Sequence, residues 1–232
     1  MVKMKEENTM KQLEVIKQRH SVRQYVDTPI EDEKQKELLD FMDICNQESG
    51  LHMQLQFNEP TAFQSMLAKY GKFTNVNNYI ALVGKDDDNL EELGGYYGEK
   101  MVIKAQELGL NTCWVALTFN KRKAKKAIDI DRGEKLLMVI ALGYGKTQGV
   151  AHRKQAIETF YEAQSDVPQW FINGVEMASF APTARNQQKF KFHYKNDVVS
   201  ITTTSGAYTK TDMGIVKYHF ELGANKDHIN WE

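Results

Sequence analysis

From Leu51 to Phe57 the chain reads L-H-M-Q-L-Q-F, with Leu51, Met53, Leu55 and Phe57 alternating with His52, Gln54 and Gln56. A period of two buries one face and wets the other, which predicts a half-buried strand. Two apolar runs of strand length, Y-I-A-L-V-G (79–84) and L-L-M-V-I-A-L-G (136–143), lack that alternation and predict strands covered on both faces. Helical spacing is found elsewhere. Leu13 and Ile16 share one face of a short helix from Met10 to Arg19. After Pro29, the acidic start of I-E-D-E-K-Q-K-E-L-L-D-F-M-D-I-C suits the positive end of a helix dipole, and Leu38, Leu39, Phe41 and Met42 supply its apolar side. From Gly94 to Leu110, Tyr97, Met101, Ala105 and Leu108 form a stripe that Val102 and Ile103 widen, predicting a largely buried helix.

The last third repeats this order. V-E-M-A-S-F ends a helix, A-P-T-A-R-N-Q-Q is a loop, and K-F-K-F-H-Y-K-N-D-V-V-S-I-T-T is an alternating hairpin turning at Lys195-Asn196-Asp197. T-D-M-G-I-V-K-Y-H-F-E-L-G-A then gives a second buried helix with Met213, Val216, Phe220 and Gly223 on one side. In this alignment Phe192 corresponds to Phe57 and Gly214 to Gly98. The pattern predicts an internal duplication, with a first half over 1–160 and a shorter second half over 161–232.

Composition narrows the class. With 232 residues, 41% hydrophobic and 26% charged, the chain suits a globular protein with a sizeable core. Thirty Lys and Arg against 31 Asp and Glu leave a net charge of −1, so any basic site is local and nucleic acid is not an expected partner. The first ten residues lack the apolar centre of a secretory leader, and no apolar run reaches bilayer length, so the reading is a soluble cytoplasmic protein with no membrane partner. Cys45 and Cys113 stand alone and predict small core residues, neither a disulfide nor a zinc site.

The basic turn K-Q-R-H-S-V-R-Q-Y concentrates charge. Arg19, His20, Ser21 and Arg23 put two guanidiniums, an imidazole and a hydroxyl within five residues, a set that suits phosphate oxygens; the alternative is a solvated loop whose arginines pair with surface acids. A-L-G-Y-G-K-T-Q-G is not a P-loop, because Ile140 stands where the pattern needs glycine. No G-x-G-x-x-G follows a strand, no histidine has metal-ligand spacing, and no G-x-S-x-G is present, so no metal is expected and hydrolysis has no foothold. In F-A-P-T-A-R-N-Q-Q, Pro182 restricts the backbone, Thr183 and Asn186 offer short donors and acceptors, and Arg185 adds charge.

Together these segments resemble the nitroreductase family of flavin enzymes. R-H-S-V-R-Q-Y is similar to that family's R-x-S-x-R motif, which holds the phosphate and ribityl chain of FMN. A-P-T-A-R-N-Q-Q-K-F-K-F is similar to its A-P-S-x-x-N-x-Q-P-W-x-F loop, with Lys189-Phe190 in place of Pro-Trp. E-L-G-L-N-T-C-W-V-A-L-T-F resembles the stretch that approaches the flavin ring, and V-I-A-L-G-Y-G-K-T-Q-G-V-A-H-R-K the closing strand with its downstream basic residue. The resemblance implies an α+β fold, nitroreductase-like, with a central mostly antiparallel sheet flanked by helices. In ordinary members the A-P-S loop follows the first long helix and reaches the flavin of a partner subunit. Here that place reads D-I-C-N-Q-E-S-G, and the loop lies in the last third. The implied plan is therefore a pseudo-dimer of two related halves, monomeric, with a homodimer as the alternative.

On this resemblance Arg19, His20, Ser21, Arg23 and Arg153 hold the FMN phosphate and ribityl chain. Trp114, Val115, Ala116 and Leu117 lie along the isoalloxazine, and Pro182, Thr183, Arg185 and Asn186 reach it from the second half. The implied activity is that of an FMN-dependent oxidoreductase: NADH or NADPH gives hydride to flavin N5, and a small acceptor such as a nitroaromatic or quinone takes it up. No side chain needs to be catalytic, because the cofactor carries the chemistry. The alternative is a flavin-binding protein of the same fold with little or no turnover.

Overall fold

Every residue from Asn78 to Gly84 is buried, the pattern of a strand covered on both faces. It belongs to β2 (Asn78–Lys85) in a computed structural model that describes residues 11–163 and 166–232. Met10 and the readings made of the first ten residues lie outside these. The chain divides into two compact units: residues 19–150 form one, and residues 11–18 with 151–232 form the other. The division thus falls at Val150, ahead of the boundary drawn at 160, and helix α1 (11–18) belongs with the last third of the chain.

The unit over 19–150 contains, in chain order, α2 (Asp32–Ser49), β1 (Gln54–Gln56), α3 (Met66–Tyr70), β2, α4 (Leu90–Glu107), β3 (Asn111–Val115), α5 (Lys121–Ala127) and β4 (Glu134–Gly143). Its sheet has the order β1-β2-β4-β3, antiparallel throughout. The alternation at 51–57 survives as burial of Leu51, Met53 and Leu55, although only 54–56 pair with β2. In α2 the core takes Leu38, Met42 and Cys45, one per turn, while Leu39 and Ile44 remain 40% and 50% exposed. Helix α4 begins at Leu90, a turn ahead of the predicted Gly94, because Glu91 and Glu92 favour the dipole's positive end. Its glycines permit close approach to the sheet: a Cβ on Gly98 would lie 2.5 Å from Trp114 Cη2. On the opposite side Phe63, Phe73, Tyr79 and Phe119 join one apolar cluster with Val115 and Val139.

The second unit holds β5 (Tyr161–Ala163), α6 (Gln169–Ala178), β6 (Phe190–Lys195), β7 (Val198–Thr203), α7 (Thr209–Ala224) and β8 (Asn230–Trp231). Its sheet has the order β5-β6-β7-β8, with β6 and β7 antiparallel and each outer strand parallel to its neighbour. The predicted hairpin turn is present, with Asn196 and Asp197 both at positive φ, the geometry that matches strand twist. Phe192 stacks on Phe220 at 4.5 Å, joining the sheet to α7. Both units carry a helix, two strands, a helix and a strand in that order, α2-β1-β2-α4-β3 and α6-β6-β7-α7-β8, but in the first α3 intervenes between β1 and β2. The two strand hairpins are antiparallel in each. β3 runs parallel to β2 with β4 between them, as β8 runs parallel to β7 with nothing between.

Candidate functional site

The basic turn is an extended segment held on three sides. Ser21 bridges Thr112 at the start of β3, and Val22 N–H donates to Thr112 O at 2.9 Å. Tyr25 N–H reaches Thr74 O, and Arg23 O accepts from Thr74 N–H. Val26 N–H donates to Tyr144 O, while Lys146 N–H donates to Gln24 O. Val22 and Tyr25 are buried, and Arg23 and Gln24 are exposed. Gly149, at φ 77°, passes so close that a Cβ there would lie 2.7 Å from His20 Cβ.

Arg19 lies against α4. It is 3% exposed, with Nε 3.7 Å from Oε1 of the fully buried Glu99 in α4. Glu99 Oε2 accepts from Trp114 Nε1 at 2.9 Å, so Arg19, Glu99 and the half-buried Trp114 form one chain of contacts. A guanidinium committed to an internal carboxylate serves packing and charge balance, because an unpaired buried Glu99 would cost several kcal/mol. Burial, with the Arg19 charge as second cause, lowers the His20 pKa, so the imidazole is neutral at pH 7 and offers hydrogen bonds without charge. The Ser21 hydroxyl bonds the Cys113 thiol, whose pKa burial raises. Arg23 is thus the exposed cation of the turn.

β3 leads from the turn towards the segment expected at a flavin ring. Trp114, half-buried, packs on Gly98, and Val115 enters the core cluster. Ala116 is half-buried and Leu117 64% exposed, which leaves these two at the surface. The four residue steps from Thr112 to Ala116, just past the end of β3, span about 13 Å of extended chain. Leu117 is followed by Thr118, against which Gly71 packs, and by Phe119, stacked on Phe63 at 6.4 Å.

The other predicted residues are in the second unit, where they gather around one loop. Asn186 Nδ2 and Gln188 Nε2 both donate to Arg153 O, at 3.0 and 2.8 Å. Thr183 Oγ1 accepts from Gln188 N–H. Arg185 and Asn186 hold left-handed backbone, φ 53° and 54°, and their side chains are exposed. Asp212, in the first turn of α7, anchors the loop: its carboxylate accepts from Ala184 N–H at 2.9 Å and from Gln187 Nε2 at 2.7 Å. Burial raises Asp212 to a pKa of about 6 although both bonds favour its charged form. Lys154 places Nζ 3.4 Å from the Phe180 ring centroid, which occupies it locally. Phe190, in the family's tryptophan position, stacks on Phe160 in the core.

The family described as "Putative TM nitroreductase" matches residues 11–224. The chain belongs to the nitroreductase family. No curated relative matches it in sequence. A Thermotoga maritima structure described as a putative nitroreductase superposes with TM-score 0.63 at 20% identity, covering 91% of this chain and 82% of that one. A Parabacteroides distasonis protein described as a putative NADH dehydrogenase/NAD(P)H nitroreductase gives TM-score 0.53 at 19% identity, over 66% of this chain and 97% of its own. A Desulfovibrio desulfuricans nitroreductase solved in complex with FMN gives 0.52 at 17%, over 68% of this chain and 98% of its own. The fold is therefore the nitroreductase-like α+β fold with antiparallel sheet.

Some features of the nitroreductase fold here escaped the sequence. The rejected P-loop segment, Tyr144 to Gly149, lies beside the basic turn, as its glycines and its place after a long strand hinted. Asp212 had no legible partner, since Ala184 and Gln187 are distant in sequence. Strand pairing brings His52, Asp131 and Glu134 together, with His52 Nδ1 2.9 Å from Glu134 Oε2, at the end of β4 opposite the basic turn. A cavity of about 890 Å³ opens over the second sheet beside Glu162, His193, Ser200 and Glu232, and no predicted site residue lines it. Among the described residues no helix is long and apolar enough to cross a membrane.

Proposed function

We propose that the protein uses NADH or NADPH to reduce small acceptors such as nitroaromatics or quinones through bound FMN. The observation that carries this reading is the continuity of the basic turn with β3: an exposed Arg23, the neutral His20 and the Ser21 hydroxyl stand at one end, and the exposed 116–117 segment at the other. About 13 Å of strand between them is a span that a ribityl chain with its phosphate covers. The donor set fits the group, since a phosphate dianion calls for a guanidinium fork and neutral donors, and Gly149 lets the backbone come close.

In this reading Arg23, Ser21 and His20 hold the phosphate, and Arg19 acts from beneath by neutralising Glu99. A main-chain N–H of Ala116 or Leu117 orients the ring. Bound FMN would supply two-electron transfer between nicotinamide and acceptor, chemistry that no side chain here provides. Arg153, Thr183, Arg185 and Asn186 form a second set of candidate cofactor contacts, presented by the loop that Asp212 anchors. The repeated element order supports reading the two units as duplicated halves.

A visible spectrum tests the proposal. The purified protein, or the protein after addition of FMN, is expected to show a bound-flavin absorption that NADH or NADPH bleaches anaerobically and an acceptor restores. A protein that stays colourless and leaves free FMN fluorescence unquenched contradicts it. Bound flavin that neither nicotinamide bleaches would instead assign the alternative, a flavin-binding protein without turnover.

A further inference from the structure

Helix α5 places Lys121, Arg122, Lys123, Lys125 and Lys126 in seven residues, and all five are exposed. Among the described residues none of the five forms an ion pair, although the whole chain carries 31 acidic residues against 30 basic. This arrangement opposes the helix's own stability. Lys121 and Lys125, like Arg122 and Lys126, are like-charged at i,i+4, and cations in a first turn face the positive end of the dipole. Burial lowers the Lys121 pKa, and the charges of Lys125 and Lys135 lower it further. Packing needs only Ala124, the buried residue of the helix. A cluster of uncompensated cations in a chain of balanced charge is a local field for an anion.

The helix is fixed where such an anion has a use. Its Asn120 cap accepts from Lys123 N–H at 3.0 Å, and Asn120 N–H donates to Ala62 O at 2.7 Å. Lys121 follows Leu117 by four residues, at most about 14 Å of chain. We propose that α5 binds the 2′-phosphate of NADPH and so makes the protein select NADPH over NADH. The inference rests on the reading of 116–117 as the flavin-ring segment. A nicotinamide seated on that ring directs its adenosine end outward, and the two dinucleotides differ only in this phosphate monoester, a concentrated charge that a cluster of lysine and arginine donors recognises.

The test compares the wild-type holoprotein with two variants, R122Q/K123Q and K125Q/K126Q. Glutamine keeps the helix propensity of lysine and removes the charge. Adenosine 2′,5′-bisphosphate binding is measured by calorimetry with and without FMN, alongside KM for NADPH and NADH. The wild type is expected to favour NADPH by about tenfold or more, each variant to lose roughly tenfold in bisphosphate affinity, and 0.5 M salt to erode the preference. Equal KM values for the two dinucleotides, or bisphosphate affinity unchanged in both variants, overturn the inference. Heparin binding that the variants abolish, without bisphosphate binding, also overturns it and assigns the patch to another polyanion. Bisphosphate binding to α5 in a protein that never takes up flavin leaves the phosphate site standing and removes only the flavin reading beneath it.

Discussion

Two arginines four residues apart have opposite fates. Arg19 turns inward to Glu99, whereas Arg23 turns outward. The reading therefore expects different losses from each neighbourhood. Arg23→Ala should weaken FMN binding by roughly 1.5–3 kcal/mol, a ten- to hundredfold rise in Kd by fluorescence quenching, with stability changed by less than about 0.5 kcal/mol. Glu99→Gln should leave the buried guanidinium without its counter-charge and destabilise the apoprotein by about 3 kcal/mol in urea unfolding. Wild-type stability in the second variant would show that the buried pair carries no net weight. Asp212 gives a pH signature. Its pKa of about 6 lies above the ordinary 3.8, so the folded state holds this proton more tightly than the unfolded chain does. The resulting stability is full below about pH 4 and is lost as pH rises through 6. Relative to Asp212→Asn, the wild type should lose about 3 kcal/mol between pH 4 and pH 7. A constant difference between the two proteins across that range would contradict the assignment.

At the scale of elements, periodicity was a sound guide wherever burial is one-sided. The hairpin at 190–203 and the helices around Leu38 and Val216 stand where the pattern put them, while the strand expected over 51–57 is reduced to Gln54–Gln56. It misled where glycine is used for proximity. Gly94 and Gly95 read as a helix start, yet α4 runs through them from Leu90 so that its backbone can approach the sheet. Gly98→Ala tests this: the added methyl would sit 2.5 Å from Trp114 Cη2. Overpacking should outweigh the roughly 1 kcal/mol that alanine adds to a helix, for a net loss of about 1–2 kcal/mol in chemical denaturation with the slope unchanged. A variant more stable than wild type would mean that α4 gives way easily. α5 and β3 went unassigned in the sequence because they are short and carry no clean period, and only their neighbours define them.

At the scale of the whole molecule, one chain carries two four-stranded sheets whose flanking elements follow a similar order, apart from α3 in the first. The duplication reading expects a monomer of 26.7 kDa by light scattering, since a chain with both halves has no need of a second copy. A mass twice that value removes the single-chain pseudo-dimer and leaves the flavin reading in place. The unit over 19–150 contains Arg19, His20, Ser21, Arg23 and the 114–117 segment, proposed to hold phosphate and flavin ring, and the other unit contains the loop that Asp212 anchors. Flavin affinity of Thr183 and Arg185 variants, set beside that of Arg23→Ala, reads out whether each group contributes.

What the sequence determined by itself was local. Alternation and helical spacing act between residues a few positions apart, and the clustering of Arg19, His20, Ser21 and Arg23 is a fact of adjacency, so strands, helices and the presence of an anion-suited turn were legible without coordinates. Tertiary structure decided which of those groups are available. Whether an arginine meets solvent or a buried glutamate depends on residues eighty positions away, as Arg19 and Glu99 illustrate. The anchor of the 182–188 loop, an aspartate in a later helix, follows from packing. Burial and pairing are sums over distant segments, and a one-dimensional pattern does not contain them.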